Sequence, residues 1–131
     1  MTVSAIENAN KGIVGKVWER KCTFVWQTGD EHAAQSITLA NLLGALENVI
    51  VVISGVTGNP TVTVTLTDAA TGAALVTLSA MADGTVHFKQ YPNDFYSVLL
   101  AGGDVELTVD PSADAGGEAQ TLTVEVVLRG L

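Results

Sequence analysis

Between residues 61 and 67 the chain alternates without a break. Thr61, Thr63, Thr65 and Thr67 are interleaved with Val62, Val64 and Leu66. A strand turns successive side chains to opposite faces, so this segment has one apolar face and one row of hydroxyls. The same period of two recurs along the chain. "KCTFVWQT" sets Cys22, Phe24 and Trp26 on one side, and "DVELTVD" does the same with Val105, Leu107 and Val109. "TLTVEVVLRG" aligns Leu122, Val124, Val126 and Leu128. The run "NVIVVISGV" is β-branched and apolar on both faces, as in a central strand. Turn signals at Gly29-Asp30, "DAATG", "MADG" and Gly102-Gly103 divide these runs. On that division "TVTVTLT", "AALVTLS" and "TVHFKQY" read as a three-stranded meander, followed after Pro92 by a strand in "FYSVLL".

One segment changes period. Leu39, Leu42, Leu43 and Leu46 stand at i, i+3, i+4 and i+7, the spacing of a helical face, with Asn41 as a cap. The spacing predicts one short helix plugging an end of a β core. The whole predicts an all-β chain of about eight strands packed as an antiparallel β-sandwich, jelly-roll or immunoglobulin-like. Its core is expected to include Phe24, Trp26, Val62, Val64, Leu66, Val105, Leu107, Leu122, Val124 and Val126. Residues 1–18 lack a strong strand period and read as an extended N-terminal arm, leaving residues 19–131 as the sandwich domain.

Composition sharpens this picture. At 131 residues the chain is one domain by size. It is 47% hydrophobic and only 15% charged, against roughly 25% charged in an ordinary soluble domain. Such a charge-poor surface suits packing against other subunits. The net charge is −8, which speaks against nucleic acid as a partner, because no basic stripe is available to neutralise phosphates. Charge is also unevenly placed. Residues 1–21 hold Lys11, Lys16, Arg20 and Lys21 against two acids, a net of +2, and the remainder carries −10. The basic end reads either as a solvated tail or as an arm that docks on an acidic body, its own or a neighbour's. "MTVSAIENANKG" shows no signal-peptide pattern, and "NVIVVISGV" is too short to span a bilayer as a helix. Synthesis in the cytoplasm and no membrane partner are therefore expected.

Candidate chemistry is sparse. The single cysteine, Cys22, lies on an apolar strand face and reads as a buried structural thiol. His87 falls with Thr85 and Lys89 on the polar side of its strand, opposite Val86 and Phe88. His32 sits in a charged loop beside Asp30 and Glu31, with no further ligands in sequence. Asp110, Ser112 and Asp114 take positions 1, 3 and 5 of a calcium-loop spacing, but Ala115 and Thr121 occupy the positions of its turn glycine and bidentate acid. No nucleophile elbow or phosphate-binding glycine loop is present. The expectation is a protein without catalytic residues, cofactor or metal. Tyr91, Phe95 and Tyr96 cluster around Pro92 and offer candidate ligand-stacking rings. The row Thr61, Thr63, Thr65 and Thr67 carries no charge before Asp68, and reads either as a solvent face chosen for strand propensity or as a subunit contact.

The run "ITLANLLGALENVIVVISGVTGNPTVTVTLTDAATGAAL", then "DGTVHFKQY" and the closing "TLTVEVVLRGL", resembles the small β-sandwich virion proteins of tailed bacteriophages. The nearest likeness is to the head decoration, or cement, type, with neck and tail proteins as neighbours. The likeness is one of texture over most of the chain and includes no diagnostic motif. It implies a virion structural protein without catalytic residues, a homo-oligomer of trimeric kind, that grips the major capsid protein through its N-terminal arm. Lys11, Lys16, Arg20, Lys21 and the four threonines are then the expected interface residues, the threonines against a copy of the chain around a three-fold axis. An immunoglobulin-like module binding carbohydrate through Tyr91, Phe95 and Tyr96 is the alternative.

Overall fold

The computed structural model describes the strand Val3–Asn10 and residues 17–131. Among the described residues ten strands run in chain order: β1 (Val3–Asn10), β2 (Trp18–Gln27), β3 (Gln35–Leu39), β4 (Leu43–Ile53), β5 (Thr61–Asp68), β6 (Ala74–Ala82), β7 (Val86–Gln90), β8 (Leu99–Ala101), β9 (Val105–Pro111) and β10 (Thr121–Gly130). They form two antiparallel sheets. The larger has the order β1-β2-β10-β4-β7, with β8 also paired to β4, and the smaller has the order β3-β9-β5-β6.

The inner faces of both sheets contribute to one hydrophobic cluster, and all ten residues expected in the core are buried in it. Phe24 and Trp26 stack with ring centroids 6.4 Å apart, and the Trp26 indole N–H donates to the Ala33 carbonyl at 2.8 Å. That bond satisfies the one polar atom this large side chain takes into the interior. Cys22 is fully buried beside them. The double-faced apolar run lies in β4, which is flanked by β10 on one side and by β7 and β8 on the other. Within the segment read as an arm, Val3–Asn10 pairs along β2 from Trp26 back to Glu19.

Four expectations are corrected. The described residues contain no helix: Leu39 ends β3, Leu43 and Leu46 belong to β4, and Leu42 lies in the connection. Asn41 at φ 62° and Gly44 at φ 109° reverse the chain there, so a helix-like spacing arises from two strands meeting at a tight corner. Leu39, Leu42 and Leu46 are buried, whereas Leu43 is exposed. The described residues form ten strands rather than about eight.

The expected meander is broken. β5 and β6 pair, but β7 crosses to the other sheet and pairs with β4. The corner is pinned to the end of β4: the Asp83 carboxylate accepts the Val56 N–H at 3.0 Å, and the Thr85 carbonyl accepts the Ile53 N–H at 3.1 Å. With β7 in this position its faces are opposite to the expectation. His87 and Lys89 stand across from Val51 and Val49 on the inner side, and Val86 and Phe88 are exposed.

The chain end at β10 is held by close backbone approach. Ala45 and Leu131 exchange two backbone hydrogen bonds, at 3.0 and 2.9 Å. A Cβ on Gly130 would lie 2.2 Å from the Ala45 carbonyl oxygen and 2.4 Å from the Trp18 ring, so only glycine fits.

Candidate interaction faces

The threonine row lies on the outer face of the smaller sheet, half-buried among its neighbours. Cross-strand register extends it sideways. Thr65 stands opposite Thr77 of β6 and Thr108 of β9, and Thr108 stands opposite Ser36 of β3. Four hydroxyl side chains thus cross the sheet in one line, and Ser36 and Thr108 hydrogen-bond at 2.8 Å. In the next line Thr67 faces Glu106, which faces Thr38. Thr63 stands opposite Asp110. Its hydroxyl accepts the Ala80 N–H at 3.2 Å, where β6 bulges and Ala80 takes φ 50°. Thr63 is therefore committed to the sheet itself. The four strands of this sheet carry three acids, Asp68, Glu106 and Asp110, and no lysine or arginine.

The larger sheet is built differently. Its strands hold Arg20, Lys21, Lys89 and Arg129 against Glu7, Glu19, Glu47 and Glu125, an even balance. On the outer face Arg129 Nε binds Glu19 at 2.8 Å and Lys21 Nζ lies 3.3 Å from Glu125. Toward the β7 edge the face turns apolar. Phe88, Ile50 and Val127 form one cross-strand line, and Val86 and Val52 the next. Phe88 is 53% and Val86 65% exposed, beside half-buried Ile50 and Val52. The sequence carried one signal of this patch, the apolar character of both faces of "NVIVVI".

Of the basic residues expected at an interface, Arg20 donates from Nη2 to the Ala40 carbonyl at 3.3 Å and Lys21 is in the ion pair above. Lys11 and Lys16 lie outside the described residues. The three aromatics do not form one platform. Tyr96 is 91% and Tyr91 42% exposed, whereas Phe95 is buried in the core. A shallow depression of about 260 Å³ runs along Pro92–Tyr96.

His87 Nε2 lies 2.7 Å from the Thr85 hydroxyl and 2.9 Å from the Ala82 carbonyl, which ties the ring to the β6–β7 corner. His32 is exposed in its loop. The loop after β9 spends its oxygens on backbone donors: Ser112 Oγ accepts the Thr61 N–H at 2.9 Å, and Asp114 accepts the N–H of Ala115 at 2.9 Å and of Gly29 at 3.4 Å. Among the described residues no three His, Cys, Asp or Glu side chains are grouped to hold a metal ion, and no helix is long and apolar enough to cross a membrane. The chain matches no protein-family model and no curated protein sequence.

Proposed function

We propose that this chain is a structural subunit of a phage particle, a head decoration protein that cements the shell through non-covalent contacts. In this reading the two sheets form a β-sandwich of jelly-roll or immunoglobulin-like kind, and copies associate as a trimer on the major capsid protein. The observation that carries it is the outer face of the smaller sheet, a field of hydroxyls with two acids, Glu106 and Asp110, and no base. Threonine methyls and hydroxyls pack closely while still hydrogen-bonding, and they lose little rotamer freedom when covered. The acids of β9 on this face favour a shell surface that offers lysine or arginine. Copies of this face would repel one another, so in this reading it meets the shell rather than itself. The basic residues of 1–21 would dock on acidic surface, a contact that weakens with salt over a screening length of about 10 Å at 0.1 M.

The test is the copy number of the chain in purified particles of the virus that encodes it, by quantitative mass spectrometry. A number of the same order as the major shell protein supports decoration. A number matching a single ring places the chain in a neck or tail instead, and its absence from particles refutes the reading.

A second reading, a sugar-binding immunoglobulin-like module, draws on the exposed rings of Tyr96 and Tyr91. It requires glycan binding that Tyr96→Ala abolishes.

A further inference from the structure

We infer that the outer face of the larger sheet, at its β7 edge, is the surface through which this chain meets further copies of itself. This does not rest on the virion reading and concerns the opposite side of the molecule from the hydroxyl face.

The first observation is the reversal of β7. An edge strand with alternating pattern ordinarily turns its apolar side inward. Here Phe88 and Val86 point outward and join Ile50, Val52 and Val127 in a patch that contains no charge. Single exposed apolar residues are ordinary, but here exposed Phe88 and Val86 adjoin half-buried Ile50 and Val52 and buried Val127, and a contiguous apolar face of this kind marks a contact surface.

The second observation identifies the occupant. The chain carries −8 overall, so two copies repel wherever unbalanced acids meet. The patch is bordered by Arg129–Glu19 and Lys21–Glu125, whose charges are neutralised within the same face. Copies can be brought together here without accumulating like charge. The outer face of the other sheet, with acids and no base, offers no such place. A strongly basic partner would be drawn to that acidic face, not to this balanced one. An apolar centre with an internally paired polar rim is the composition of an interface between copies of one chain.

The third observation fixes the mode. The free edge of β7 is guarded, because Lys89 and His87 lie on the inner side of the edge strand, and inward-pointing charge discourages strand addition. The face beside that edge has no such guard. Copies therefore pack face to face over Phe88 and Val86 rather than extending the sheet.

The experiment is sedimentation velocity of the full chain over a concentration series, with Phe88→Glu, Val86→Cys and Thr65→Lys. Wild type is expected to self-associate. Phe88→Glu should weaken association roughly ten-fold or more, since it puts an unpaired charge into the centre of the contact. Thr65→Lys, on the other sheet, should leave it unchanged. Val86→Cys, which removes little packing from a mostly exposed side chain, should form an interchain disulfide under mild oxidation, with Cys22 too buried to compete. It provides the reading if Phe88→Glu fails to fold. A wild-type chain that stays monomeric throughout the series overturns the inference, whether the patch is free or covered by the chain's own N-terminal residues. So does association that survives Phe88→Glu, or a Val86→Cys variant that oxidises without crosslinking. None of these outcomes bears on copy number in particles, so the two proposals fail separately.

Discussion

The two sheets are alike on the inside and opposed on the outside. Inward, each presents an alternation of mainly Val and Leu side chains to one shared core, to which the larger sheet adds Phe24 and Trp26. Outward, the smaller sheet is a hydroxyl field with acids and no base, whereas the larger is apolar at its β7 edge and balanced by ion pairs between β2 and β10. Core packing constrains inner faces to similar chemistry, and it leaves outer faces free to diverge. The divergence is therefore where function is to be sought. A chain with two unlike outer faces can hold two unlike neighbours at once.

The likeness of the inner faces gives the largest expected effect. Leu122→Ala in the larger sheet and Leu107→Ala in the smaller both remove a fully buried side chain from the same cluster. Each should cost about 2–5 kcal/mol in urea unfolding. A loss from one sheet much below the other would show that the core is not shared evenly. Gly130→Ala comes next, at about 1–3 kcal/mol, because the new methyl collides with backbone at Ala45 and with the Trp18 ring. Gly103→Ala, with nothing within 4 Å of its Cβ, is the matched control and should stay within about 0.5 kcal/mol.

Smaller effects separate the outer faces. Thr65→Lys should change stability by only a few tenths of a kcal/mol, roughly the surface level, while weakening attachment to a shell or other basic partner measured by cosedimentation. Normal attachment of that variant would return the hydroxyl face to solvent. Smallest of all is Glu19→Gln, which removes the Arg129 ion pair. A cost below about 1 kcal/mol is expected, shrinking as salt is raised in thermal melts. A larger cost that persists in high salt would mean that the ion-pair border is structural rather than a way of neutralising the face.

Much of the β architecture is legible in the sequence because each strand reports its own inner face. Phe24, Leu107 and Val124 are identified by their immediate neighbours alone, since a period of two with one buried face needs no knowledge of the partner strand. The signal fails where two elements meet. Leu39, Leu42, Leu43 and Leu46 imitate a helix because a corner at Asn41 joins two strands whose leucines happen to fall at that spacing. "MADG" looks the same whether it closes a hairpin or carries the chain to the other sheet. The difference lies in Asp83 and Thr85 binding the backbone of β4, a segment distant in sequence. For the candidate faces, the threonine row is local and legible. Its continuation through Thr108 and Ser36, and the reversal of Phe88, depend on register between remote strands and cannot be read from one segment.

The position of β10 has a consequence for how the molecule is made. It lies between β2 and β4 and hydrogen-bonds to both, yet its residues leave the ribosome long after theirs. Until β10 emerges, β2 and β4 each keep an unpaired apolar edge, and neither can take its final place in the sheet. The larger sheet is therefore completed only once β10 has emerged, by insertion of a late strand between two early ones. During that interval the nascent chain depends on dilution or a chaperone to keep those edges apart from other chains. A ribosome stalled before residue 121 should hold a protease-sensitive chain, and release of the next ten residues should convert it to the resistant form in one step.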